Sequence, residues 1–136
     1  GDLDPGAERA LGEYIKQTYG HDFVFVKDWP FTVRPFYHML HEDNPTLTKS
    51  FDLLGRGLEI TTGAQREHRY DKLAQQALDK GLTLEPIQNY LNFFRYGCPP
   101  HGGLGLGLSR LLMVMLNLPT IRDAVYLFRG PNRLEP

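Results

Sequence analysis

The sequence predicts an α+β fold, with an antiparallel sheet flanked by helices. Three observations carry that reading. Strand-like and helix-like runs do not alternate as βαβ units, which argues against a doubly wound parallel sheet. Alternating apolar and polar residues lie on both sides of Gly55-Arg56-Gly57, the pattern of half-buried strand. The chain has 136 residues, long enough for a real core and short enough to be one domain or part of one.

Taken in order, Ala7, Ala10, Leu11, Tyr14, Ile15 and Thr18 recur at helical spacing over residues 6 to 19, with Pro5 near the first position and Gly20 as a stop. Phe23-Val24-Phe25-Val26 reads as a strand. Thr32 to Tyr37 reads as a second strand interrupted by Pro35, and His38 to Thr48 as a loop. From Lys49 to about His68, Phe51 and Leu53, then Leu58 and Ile60, alternate with polar neighbours, and Gly63 allows a bulge. A rival pattern makes Thr62 and Gln65 a capping box. Asp71 is the better cap, for a helix over Lys72 to Lys80 with Gly81 beyond. Glu85-Pro86 opens another helix, carrying Ile87, Tyr90, Leu91 and Phe94 on one face and ending before Gly97. Leu108 to Leu116 reads as a buried helix, and Ala124 to Phe128 as a last short strand.

The totals narrow the function classes. A formal charge of −1 gives no global basic field for nucleic acid, so any RNA contact must be local. The single cysteine, Cys98, permits no internal disulfide and suits a reducing, cytoplasmic compartment. No apolar run approaches the roughly 18 residues of a membrane span, and no signal peptide opens the chain; its first residues read like a chain entered partway.

Residues 101 to 116 carry the clearest chemistry. Gly102, Gly103, Gly105 and Gly107 precede an apolar run that contains one charge, Arg110. A permanent cation at the root of a buried helix is costly unless it snorkels to the surface or meets an anion. A nucleotide phosphate or an adenine face would suit it, although neither the P-loop nor the dinucleotide fingerprint fits the glycine spacing. A second cluster, Glu59, Thr62, Gln65, Arg66 and His68, mixes an acid, a hydroxyl, an amide, a cation and an imidazole. One carboxylate and one hydroxyl can hold Mg²⁺ through a nucleotide's phosphates, and Arg66 offers a planar fork for a carboxylate. The alternative for this cluster is a solvated strand face. His38 and His41, beside Glu42 and Asp43, have metal-like spacing but read as a solvated loop. Cys98 has no evident base and reads as packing only.

Three stretches together resemble a known family. FDLLGRGLEITTGAQREHRYD (Phe51 to Asp71), YLNFFRYGCPPHGGLGLGLSRLLMVMLNLPTIRDAV (Tyr90 to Val125) and the ending RGPNRLEP, with VRPFYHML (Val33 to Leu40), are similar to the C-terminal part of the catalytic domain of class II aspartyl-tRNA synthetases. The archaeal-type enzymes, including those that charge both aspartate and asparagine tRNAs, look closest. The resemblance implies that residues 1–136 form that portion of the domain, with the family's third motif present. The first two motifs, a lysine that recognises the substrate carboxylate and the N-terminal anticodon-binding domain fall outside it.

The resemblance also implies roles. Arg110 falls on the ATP-binding arginine of the third motif, Gly105 and Gly107 on the glycines beside the nucleotide, and Glu59 and Thr62 on the acid and hydroxyl that hold Mg²⁺ with ATP. Arg66 falls on the arginine gripping the substrate's side-chain carboxylate, and Gln65 and His68 on residues lining that pocket. The implied reaction is aspartyl-adenylate formation followed by transfer to the acceptor end of tRNA, by a homodimer when complete; this chain alone is expected to be inactive. Ser109 stands where the family usually has an acid, and Leu127-Phe128-Arg129-Gly130 replaces its usual Phe-Pro-Arg-Asp. Those departures motivate the alternative of a diverged paralogue, either a non-catalytic binding module or an asparagine-forming enzyme.

Overall fold

The turn at Arg56-Gly57 shows how local sequence fixes the sheet. Both residues have positive φ, 49° and 77°, which matches the right-handed twist of the strands that a two-residue hairpin joins. The turn connects β2 (Ser50–Gly55) to β3 (Leu58–Arg66). In the computed structural model, which describes residues 2–135, these strands are the middle of a four-stranded antiparallel sheet. Its order is β1-β2-β3-β4, with β1 at Phe23–Lys27 and β4 at His101–Leu106. Strands do lie on either side of Gly55-Arg56-Gly57, but the alternation does not mark the buried face, since Ser50, Asp52 and Leu54 are buried while Phe51 and Leu53 are only partly so; Thr62 to Gln65 is strand, not a capping box.

The chain divides into two compact units. The first comprises Val26–Asp52 and Thr62–Gly105. Its core is Leu73, Leu91 and Phe94, surrounded by Phe36, Tyr37, Tyr70, Ala74, Leu84, Ile87 and Cys98. Leu73 comes from α2 (Tyr70–Asp79), and Leu91 and Phe94 come from α3 (Gln88–Arg95). Burying each such side chain stabilises by about 1.5–3 kcal/mol. Helix α2 begins two residues before the predicted start, with Arg69 and not Asp71 at its cap. The buried Glu67 carboxylate takes the Arg69 backbone N–H at 2.9 Å, which supplies the capping acceptor from outside the helix. Glu85-Pro86 opens a 3-10 turn, Glu85–Ile87, before α3 begins.

The predicted second strand over Thr32 to Tyr37 is absent. Phe31–Val33 forms a 3-10 turn instead, and Pro35 removes a backbone donor that a ladder would need. The loop to Thr48 is tied by bridges Pro30–Leu47 and Leu40–Thr48. In place of a solvated loop, His38 and Met39 are buried at 5% and 4% exposure.

The second unit comprises Leu3–Phe25, Leu53–Thr61 and residues from Leu106 onward. Helix α1 (Pro5–Tyr19) has Pro5 in its first turn, Asp4 accepting from Ala7 N–H at 2.8 Å, and Gly20 as a left-handed stop. Its fully buried residue is Gly12; of the predicted apolar row Ala7, Leu11 and Ile15 are partly buried, while Tyr14 is 55% exposed. A Cβ at Gly12 would stand 2.4 Å from Gly57 N, so the helix lies with bare backbone against the hairpin turn. Helix α4 (Leu108–Met115) is where the apolar run predicts it, but it is not buried. Only Val114 is enclosed, against Gly55 and beneath the Arg56 guanidinium, which donates to Val114 O. Leu108, Met115 and Leu116 are each more than 60% exposed. No strand forms over Ala124 to Phe128; Ile121–Ala124 is a 3-10 turn capped by Thr120. Among the described residues no helix is long and apolar enough to cross a membrane.

Candidate active site

Within the first unit, β3 ends at Arg66, and an antiparallel bridge pairs Arg66 with His38. That bridge draws the 34–38 segment over the strand's end. The two segments enclose a cavity of about 280 Å³, lined by Arg34, Pro35, Tyr37, His38, Thr62, Gly63, Arg66 and Gly105. Gly63 leaves no room for a side chain in the wall, whereas a Cβ at Gly103 would only touch the Arg66 side chain. A Cβ at Gly63 would lie 2.6 Å from the Phe51 ring, and one at Gly103 would lie 3.6 Å from Arg66 Nε.

The two cations of the cavity differ in their partners. Arg34 is bonded to the buried Asp52 carboxylate, donates to Thr62 Oγ1 at 3.2 Å, and lies 4.4 Å above the Trp29 ring. Its charge is thus matched by Asp52. Arg66 stacks at 4.4 Å on the Tyr37 ring, and no carboxylate pairs with it among the described residues. His38 stands between them, its carbonyl held by Gln76 Nε2 at 2.9 Å. Burial first, then the positive charges of Arg66 and Arg34, push its imidazole down to about 4 against an ordinary 6.5, so it is neutral at physiological pH. The cavity therefore carries one unmatched positive charge.

In the second unit, Arg110 projects from the first turn of α4. Its Nη1 donates to Glu59 O at 2.9 Å and to Glu59 Oε1 at 3.3 Å. The two side chains are 44% and 33% exposed. Gly107 N–H donates to Ile60 O at 2.8 Å, and a Cβ there would meet both Ile60 O and the Arg110 stem. The predicted cation thus does not sit unpaired in a buried helix. It lies at an open surface against the predicted metal acid.

Of the residues named for substrate contact, Arg66 lines the cavity, together with Thr62 and Gly105. Gln65 is exposed, its backbone bonded to Met39 and Lys49, and His68 lies beyond the end of β3 with Nδ1 buried and unpartnered. The metal-like pair separates: His38 enters the cavity, whereas His41 bonds Asp28 at 2.8 Å. Cys98 does have a base nearby, His101 Nδ1 at 3.6 Å. Sequence reasoning passed over Arg34, which lines the cavity, and the buried Asp52 paired with it, and it read His38 only as part of a solvated loop. A usable signal was present in Arg34, one charge between Val33 and a Pro-aromatic run, the same anomaly that marked Arg110.

Residues 1–129 match the family model described as class II tRNA synthetases (D, K and N). The aspartate–tRNA(Asp/Asn) ligase of Aeropyrum pernix is 52% identical over 135 residues, which are 99% of this chain and 30% of that protein. The chain thus spans less than a third of the length of this curated relative. The aspartyl-tRNA synthetase structure from Entamoeba histolytica superposes with a TM-score of 0.95 at 40% identity, covering 100% of this chain and 28% of that one. The asparaginyl-tRNA synthetase of Pyrococcus horikoshii, complexed with asparaginyl-adenylate, superposes with a TM-score of 0.88 at 36% identity, covering 100% of this chain and 31% of that one.

Proposed function

The chain belongs to the class II tRNA synthetases of the D, K and N group, and on that premise we propose that it forms the aspartate- and ATP-binding C-terminal portion of an aspartate–tRNA ligase catalytic domain. The observation that carries this reading is the cavity under Arg66, whose single unmatched positive charge suits a single side-chain carboxylate.

In this reading the aspartate side chain meets Arg66. Arg34 is a second cation at the same cavity, where the resemblance implied a lysine from outside the chain. Arg110 packs on adenine and meets the terminal phosphate, with Gly105 and Gly107 admitting the nucleotide. Glu59 and Thr62 are the residues that would hold Mg²⁺; a partly exposed carboxylate and a hydroxyl suit an ion that shares its coordination with phosphate oxygens. When bound, that ion neutralises phosphate charge.

A substrate α-carboxylate oxygen bonds to the α-phosphorus of ATP while the bond to the β-phosphate bridge breaks, and pyrophosphate leaves. A terminal ribose hydroxyl of tRNA then attacks the aspartyl carbonyl and AMP departs. The protein's part is positioning and charge neutralisation, so no nucleophilic side chain is required. Asparagine is the rival amino acid, since solved asparaginyl enzymes superpose over the whole chain.

Pyrophosphate exchange in the full natural chain, with aspartate and asparagine side by side, tests the assignment. Aspartate-dependent exchange supports it, asparagine-dependent exchange moves it to the rival substrate, and exchange with neither overturns it.

A further inference from the structure

We propose that His38 is a specificity residue for the amino-acid side chain, a neutral imidazole N–H aimed into the Arg66 cavity to donate to the incoming carboxylate. The inference rests on the reading of that cavity as the aspartate site.

Three observations support it. His38 lines the cavity with Arg34, Thr62 and Arg66. Its backbone is pinned on both sides, by the bridge to Arg66 and by Gln76 on its carbonyl, and its ring packs edge-on against Tyr37 at 5.2 Å. Of the two ring nitrogens, only Nδ1 is sealed from solvent without a partner. Nδ1 is unpartnered in either tautomer; in the proposal the neutral ring carries its proton on Nε2, where an incoming acceptor can meet it. The second proton is opposed by burial and by Arg66 and Arg34; Asp52, which favours it, is already taken by Arg34. The outcome is a donor with no charge. It adds a directional hydrogen bond where Arg66 supplies the charge, and it leaves the cavity's net charge suited to one carboxylate.

The test is aspartate-dependent pyrophosphate exchange in the full natural chain, comparing wild type, His38→Leu, His38→Gln and Arg66→Ala. A hydrogen bond to a charged group sets the scale. His38→Leu is expected to raise KM for aspartate by about tenfold to a hundredfold, with KM for ATP within twofold of wild type. His38→Gln, which keeps a donor at the same reach, stays within about threefold for both substrates. Should His38→Leu not fold, His38→Met against His38→Gln makes the same comparison.

An unchanged KM for aspartate in the apolar variant overturns the proposal. So does equal impairment of the glutamine and apolar variants, which would assign the effect to ring packing. Arg66→Ala separates the two levels. If it loses aspartate dependence while His38→Leu does not, only the His38 role falls; if it retains wild-type KM, the cavity is not the aspartate site and both readings fall.

Discussion

Replacing Arg110 by alanine separates the stability of the fold from the binding of nucleotide. The guanidinium makes one bond to the Glu59 carbonyl at 2.9 Å and one to its carboxylate at 3.3 Å, and both side chains are open to water. An ion pair this exposed contributes about 0–1 kcal/mol, and the backbone bond adds about 0.5–1.5 kcal/mol. The substitution therefore costs roughly 1–2 kcal/mol, and the melting temperature falls by a few degrees in a domain of this size. The proposed loss on ATP is larger. A desolvated cation over adenine is worth about 2 kcal/mol, and a charge-assisted bond to phosphate about 1.5–3 kcal/mol. Together they correspond to roughly a thousandfold in affinity. The assay is pyrophosphate exchange with ATP varied, in the full natural chain, beside a thermal melt of the same preparation. Arg110→Lys keeps the charge without the planar fork and is expected to recover only part of the loss. Near-normal turnover in Arg110→Ala would refute the assignment. A fall of more than about ten degrees in the melt would refute the separation itself, since lost exchange would then report unfolding.

Asp52→Asn removes the partner of a buried arginine and should destabilise by about 3–5 kcal/mol in a denaturant titration; a cost below 1 kcal/mol would show that Arg34 finds another anion. Stability should fall in two acid windows. His38 is neutral in the fold down to about 4, whereas the unfolded chain takes up its proton near 6.5, so stability drops as pH is lowered from 6.5 towards 4. Glu67 is raised by burial but more than compensated by its Arg69 bonds, leaving its carboxyl below the usual range. Its contribution is present above about pH 4.5 and is lost as pH falls further. Melting curves across this range check both, and His38→Gln should flatten the upper window; a flat wild-type profile from 6.5 to 4.5 would contradict the His38 account. The 136-residue chain by itself should self-associate and support no exchange, because Leu104, Leu106, Leu108, Met115 and Leu116 are each more than half exposed; a monodisperse monomer by light scattering would contradict the first expectation.

What the sequence made legible and what it concealed follow from the range of the forces involved. Helix α1 was readable because Asp4, Pro5 and Gly20 act within one turn of chain. The strands around Arg56-Gly57 were readable as strands, but not their buried face, because Asp52 is buried against Arg34, a contact remote in sequence. The burial of α4 was not, because an apolar run records what a helix can bury and not what is there to cover it; only Val114 finds a wall. The segment from Thr32 to Tyr37 was misread for a related reason. Its residues favour strand, yet Pro35 interrupts the ladder, and the backbone bends to bring Arg34, Tyr37 and His38 to the cavity. Glu67 escaped notice altogether. A carboxylate at 1% exposure is intelligible only once Arg69 is seen wrapping back on it.

Charge counting explains why the missed residues matter as much as the predicted one. Read from sequence, the pocket is Arg66 with Gln65 and His68 beside it, and nothing in that set decides between a carboxylate and an amide. In the structure neither Gln65 nor His68 lines the cavity. Arg34 lines the cavity, but the buried Asp52 carboxylate bonded to it cancels its charge. His38 enters uncharged because the same two arginines oppose its protonation. What remains is one cation. A carboxylate side chain brings the site to neutrality, whereas an amide would leave the Arg66 guanidinium without a counter-charge in a half-enclosed space, and an unpaired polar group is what a binding site rejects most strongly. In the proposed reading, a preference for aspartate over asparagine would rest on the balance among Arg34, Asp52, His38 and Arg66, and on no one of them alone.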